Sequence, residues 1–288
     1  MAVAIAATDL WANRRRRVAE LRARHGFARQ VLDFYAALLA VQEGAYRRAQ
    51  ADAPPPESVV PYVVETVMPR ILDVTVAAGP DRLRAELMSR YGSQDSHVIL
   101  RRWLAGEAQA AAETYLARAS AGPVVEALDA GQRAVFAQQR DGRHCPECGG
   151  LPQVSFFAAP SEDLASGGRF LVCSRCAATW GYARMTCAAC GEDSASKLTV
   201  LSEHGTTSGE RGSVVRGLPA ARQAAPQTAV FPHMRIETCD SCRKYVLSVD
   251  LATEPAAEPL VDELTAIPLD LFARERGYTK IVTNLMGF

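Results

Sequence analysis

All eight cysteines of this 288-residue chain occur as Cys-x-x-Cys pairs: Cys145/Cys148, Cys173/Cys176, Cys187/Cys190 and Cys239/Cys242. Two thiolates three residues apart converge on one cation when the chain turns tightly between them, and two such pairs complete a tetrahedral four-sulfur site. The pattern therefore predicts two closed metal sites. Turn N–H groups can donate to the sulfurs and offset their charge. Gly149 and Gly191 follow two of the pairs and supply the positive φ that such a turn needs; Ala177 and Arg243 hold the same place in the other two.

Four intact pairs combine into two sites in three ways. Chain order is the preferred grouping, with Cys145, Cys148, Cys173 and Cys176 around one ion and Cys187, Cys190, Cys239 and Cys242 around the other. PQVSFFA and RFLV read as strands that return the chain from the first knuckle to the second, and KLTVLSE and VFPHMRIET do the same for the third and fourth. A site built from the two middle pairs, with the outer pairs meeting each other, is the alternative. Four thiolates suit zinc or a single iron equally and leave no open position for a substrate water, which disfavours hydrolytic metal catalysis. A dithiol oxidoreductase usually carries one such pair at a helix start after a strand, whereas here four lie in turns.

Thirty-two basic residues balance thirty-two acidic ones. No summed positive field is present to gather nucleic acid, although a zinc-ribbon nucleic-acid-binding protein stays the rival reading. No apolar run reaches the eighteen or so residues of a membrane span; the best stretch, Val59 to Ala78, is broken by Pro61, Glu65, Pro69, Arg70 and Asp73. The arginines Arg14 to Arg17 come after the short apolar N-terminal stretch, the reverse of an export signal. The chain is read as cytoplasmic, without membrane insertion, in a compartment where thiols stay reduced.

The length suggests about two domains. The predicted class is α+β: a helical bundle over residues 1–140, then a metal-binding domain over 141–288 with two four-cysteine modules and a closing helix. Val31, Leu32, Tyr35, Leu38 and Leu39 form a helical stripe. Glu57 to Ala78 is a second helical stretch, interrupted near its prolines, and Pro80 opens a short helix ended by Gly92. Asp95 and Ser96 cap a long helix that continues into the alanine-rich stretch, and Gly122-Pro123 opens another. The Arg14–Arg17 run is expected on a solvated helix face. His144 and His233 are expected at the surface or beside a ligand, not as ligands. Trp180 and Tyr182 alternate on a strand, so both rings are expected over a metal turn. Residues 203–227 read as a loop. KYVLSVDL is a strand, and Pro259 to Gly277 is a helix with Leu264, Ile267, Leu271 and Phe272 inward, split or kinked by Pro268.

With HCPECGGLP, RFLVCSRCAATW, MTCAACG, ETCDSCRKYV and DELTAIPLDLFARERGY in this order, the chain resembles the formate dehydrogenase accessory proteins of the FdhE family over about residues 143–280. The stretch between Cys190 and Cys239 is longer than the family pattern usually carries. The resemblance implies rubredoxin-like modules, iron at the cysteine sites, and an assembly role, not an enzymatic one. The implied partner is the catalytic subunit of respiratory formate dehydrogenase, a molybdenum- and selenocysteine-containing protein exported folded.

Overall fold

The computed structural model describes residues 7–90, 95–139, 141–159, 167–203, 205–208 and 229–288. Its fold is α+β, with N-terminal helices, two four-cysteine clusters on strand-connected turns, and a C-terminal helix. Helices α1 (Ala7–Arg24) and α2 (Arg29–Asp52) lie side by side, and α2 buries Leu32, Tyr35, Leu38 and Leu39 of its predicted stripe. The second helical stretch forms α3 (Val59–Tyr62) and α4 (Met68–Ala78), separated by a π-helical turn over Val63–Val67. Pro61 and Pro69 bracket that turn, each lacking an N–H for the regular ladder. Next comes α5 (Asp81–Arg90); its expected stop at Gly92 lies outside the described residues.

Asp95 caps α6 (Ser96–Ala105), its carboxylate accepting from the His97 N–H at 2.8 Å. The expected continuation of this helix does not occur: Gly106 adopts φ +74°, ends the helix with a left-handed cap, and α7 (Ala111–Ala127) begins anew. The helix expected to open at Gly122-Pro123 is also corrected, because α7 runs through Pro123 without a break. Proline leaves the carbonyl four residues earlier, that of Ala119, without its helical donor; Gln42 Nε2 donates to it at 3.0 Å instead. A short α8 (Ala130–Arg133), capped by Asp129, closes the helical part.

Among the described residues the strands β1 (Pro152–Phe157), β2 (Arg169–Cys173), β3 (Thr179–Gly181), β4 (Leu198–Ser202), β5 (Gly205–Ser208), β6 (Met234–Cys239), β7 (Lys244–Asp250) and β8 (Thr279–Lys280) form one sheet. Its order is β3-β2-β1-β7-β6-β4-β5, with β8 paired to the start of β7. Antiparallel β1–β2 serves the first module and antiparallel β4–β6 the second; parallel pairing of β1 with β7 joins them. The two geometrically similar modules therefore share one sheet. Residues 205–208, expected in a loop, instead extend that sheet; 209–227 lie outside the described residues.

One face of the sheet, carrying Val154, Val172, Ile236, Tyr245, Leu247 and Val249, packs on the C-terminal segment. That segment is split as expected into α9 (Pro259–Asp262), a 3-10 turn over Glu263–Thr265, and α10 (Ile267–Glu275), with Pro268 in the first turn of α10. The break resets the helical phase: Leu264, Leu269 and Ala273 are buried, whereas Leu271, expected inside, is exposed.

The largest correction concerns α1. Arg15 and Arg16 are exposed as expected, but Arg14 and Arg17 are buried. They follow Trp11 and alternate with Val18 and Leu21 on the inward face. Arg14 makes a two-pronged bond to Glu126, at 2.9 and 3.1 Å. Arg17 does the same with Asp262, at 2.6 and 2.9 Å. His233, expected at the surface or beside a ligand, is buried in the same network, its Nε2 2.9 Å from Asp262 Oδ1. Burial pushes the Asp262 carboxyl up, but the hydrogen bonds from His233 and Arg17 outweigh it and hold the group below its ordinary value.

Candidate metal centres

Each Cys-x-x-Cys turn repeats one backbone device. The residue after the second cysteine takes a positive φ, +69° at Gly149, +57° at Ala177, +82° at Gly191 and +56° at Arg243. Its N–H donates to the carbonyl of the first cysteine of the pair, at 2.9 Å from Gly149, 3.2 Å from Ala177, 2.9 Å from Gly191 and 2.9 Å from Arg243. Two turn amides, of Arg175 and Ala189, point at Cys173 Sγ and Cys187 Sγ, each at 3.3 Å. Such donors stabilise negative sulfur.

The turns come together in chain order. Cys145, Cys148, Cys173 and Cys176 form one cluster, and Cys187, Cys190, Cys239 and Cys242 form the other, with sulfurs within 4.8 Å of one another in each. The closest cross-turn separations are 3.4 Å (Cys148–Cys173) and 3.7 Å (Cys145–Cys176) in the first. In the second they are 3.7 Å (Cys190–Cys239) and 3.8 Å (Cys187–Cys242). A tetrahedral ion about 2.3 Å from four sulfurs spaces them about 3.8 Å apart, so both donor sets fit zinc or a single iron. All eight cysteines are free of disulfides. In the first cluster, burial and the neighbouring sulfurs of Cys145 and Cys148 raise the Cys173 thiol well above its ordinary value. A shared cation is what would let such a group ionise.

The helical part closes over the first cluster. Arg175 donates to the Cys148 carbonyl at 2.7 Å and lies 6.0 Å from the centre of the Trp103 ring. Arg133 joins Glu147 at 2.5 Å and the Glu126 carbonyl at 2.8 Å. Gly150 has no room for a side chain, since a Cβ there would stand 2.7 Å from Cys173 Sγ. The second cluster lies at the surface, with Cys190 exposed and Cys242 half-buried. A cleft of about 460 Å³ on the other face of the sheet, floored by Arg169, Glu237 and Val246, reaches Cys187 and Cys239.

Trp180 and Tyr182 serve different centres. Trp180 Nε1 donates to the Gly142 carbonyl at 3.1 Å beside the first, while the Tyr182 hydroxyl donates to the Cys187 carbonyl at 3.1 Å in the second. Tyr182 stands beyond the end of β3, so strict strand alternation does not govern it. His144 bonds Asp141 at 2.6 Å and is no part of either cluster. Missed in the sequence were Arg133 and Arg175, whose long side chains carry no ligand spacing to mark them.

Comparison with known proteins places the same segments together. Residues 144–184 match the family described as FdhE, central domain, and residues 220–286 match FdhE, C-terminal domain. A protein FdhE homolog from Aquifex aeolicus is 31% identical over 147 residues, which are 50% of this chain and 42% of that relative. Its namesake in Pseudomonas aeruginosa is 32% identical over 143 residues, 49% of this chain and 38% of the relative. The matched stretch thus spans about two fifths of the length of these curated relatives. The crystal structure of the FdhE protein from Pseudomonas aeruginosa superposes with a TM-score of 0.61 at 22% identity, covering 98% of this chain and 96% of that one, and so shares the fold.

Proposed function

We propose that the chain, whose residues 144–184 and 220–286 match the FdhE central and C-terminal domains, is a cytoplasmic accessory protein for the maturation of respiratory formate dehydrogenase, binding the catalytic subunit before export. The observation that carries this reading is the pair of closed four-sulfur clusters, the first wholly within the FdhE central segment and the second with Cys239 and Cys242 in the C-terminal one. In this reading residues 1–140 form a helical domain and residues 141–288 the metal-binding domain, with Cys145, Cys148, Cys173 and Cys176 holding one ion and Cys187, Cys190, Cys239 and Cys242 the other. Bound iron or zinc neutralises the thiolates, and iron adds one-electron chemistry. The cysteine turns fix strand ends and loops into a rigid docking surface, because closing such a site contributes folding free energy whichever ion fills it. No helix among the described residues is long and apolar enough to cross a membrane, which agrees with a role before export.

Metal analysis with an absorption spectrum of the fresh protein tests the centres: ferric tetrathiolate is red and zinc colourless. Capture of a purified formate dehydrogenase catalytic subunit tests the partner. Failure to retain the subunit at micromolar concentrations, with both ions in place, would sink the proposal.

A further inference from the structure

The two clusters have the same ligands and different surroundings. The sulfurs of the first sit on residues 0–1% exposed and belong to the apolar cluster that contains Leu100, Leu116 and Val124 of the helical part. Among the described residues, no cysteine of the second cluster joins an apolar cluster. Cys190 is exposed, Cys242 half-buried, and the nearby bond from Ser241 to Glu192, 2.6 Å long, is at the surface. A four-coordinate ion exchanges ligands by accepting an entering donor as one of its own leaves, so access to the ion governs the rate. The first cluster lies under the helical core, where a cleft of about 80 Å³ touches only Cys173 among its four cysteines, so an entering donor reaches the ion only by loosening that packing.

We propose that the second cluster is a ligand-exchange centre, where a small donor, a low-molecular-weight thiol or chelator, takes the ion by entering at Cys190, while the first cluster keeps its ion until the molecule unfolds. This rests on the reading that both clusters hold metal. In the exchange the entering donor gives up its proton and bonds to the ion as the Cys190 sulfur–metal bond breaks, and the released thiolate takes up that proton or one from the solvent; the same replacement at Cys187, Cys239 and Cys242 carries the ion away, and no group changes oxidation state.

The test begins with ions per chain, by mass spectrometry of the purified protein; a content near zero removes the metal reading itself. EDTA is then added under native conditions, followed by alkylation with iodoacetamide and peptide mapping. The expected result is loss of one ion per chain, label confined to Cys187, Cys190, Cys239 and Cys242, and an unchanged helical circular-dichroism signal. The second ion should leave at least about tenfold more slowly, with unfolding. Cys190→Ser should remove the fast ion alone. Release of both ions in a single phase, or label on Cys145 and Cys148 while the helices persist, would overturn the proposal.

Discussion

Ala177 and Arg243 hold the same left-handed turn position but for different balances of forces. An L-residue there is strained by about 1 kcal/mol or more, a cost glycine avoids. Ala177→Gly should therefore raise stability by about 0.5–1 kcal/mol, after allowance for the looser unfolded chain, as read from urea denaturation. Arg243→Gly should gain less or lose outright, because the guanidinium stacks 4.0 Å over Tyr278, bonds Asp240 at 3.0 Å and bonds the Arg276 carbonyl at 2.5 Å. The cysteine turns were readable in sequence because their signal is local: two sulfurs, three residues, one turn. His25 has no such signal. It is buried with Phe231 at 5.5 Å, and burial, followed by the charges of Arg24, His233 and Arg17, holds its ring below the ordinary histidine value, with Asp262 opposing. A depressed histidine contributes stability that is present above its unfolded value, about 6.5, and is lost as pH falls through the folded one. The urea midpoint should thus decline below about pH 6.5, and His25→Phe should flatten that decline. An unchanged slope in the variant would show that other groups set it.

Helix α7 shows how a side chain on one segment decides the length of another. Pro123 would ordinarily end or kink a helix, which is why Gly122-Pro123 reads as a start in the sequence. Nothing near Pro123 in the chain reveals that Gln42, on α2, supplies the missing donor to the Ala119 carbonyl. Gln42→Leu should leave that buried carbonyl unpaired and cost about 1–3 kcal/mol. In a Pro123→Ala background, where the helix regains its own N–H, the cost should shrink, giving a coupling of about 1 kcal/mol or more in a double-mutant cycle. Additive effects would contradict the account. The break after α6 and the split after α9 follow the same lesson in milder form: Gly106 reads as the interior of one long helix and Pro268 as a break, but which face of α10 turned inward depended on where the phase restarted, so Leu271 came out exposed and Leu269 buried. Strands were easier to place, since β1, β2, β4 and β6 lie between fixed cysteine turns, β7 directly follows the last one, and all alternate or run apolar over their short lengths.

The molecule is tied together by ion pairs that composition could not reveal. Arg17 and Asp262 are 245 positions apart, and from the sequence a run of four arginines next to Glu20 looks solvated. The hint lay in spacing, since Trp11, Arg14, Val18 and Leu21 share one helical stripe. Arg17→Met should cost about 3–5 kcal/mol by leaving the buried Asp262 without its guanidinium, with His233 as its remaining side-chain partner, and the helical and strand signals should fall together on heating. Arg16→Ala, on the exposed face, should change stability by less than about 0.5 kcal/mol. Equal effects from the two substitutions would refute the assignment. This pairing also orders events during synthesis. At roughly 5–20 residues per second, the carboxylate that Arg17 needs leaves the ribosome roughly 12–50 seconds after the arginine itself, being 245 residues downstream. Until then Arg17 has no carboxylate to be buried against, so a nascent chain, or one stopped before Asp262, keeps that helix undocked and open to proteases.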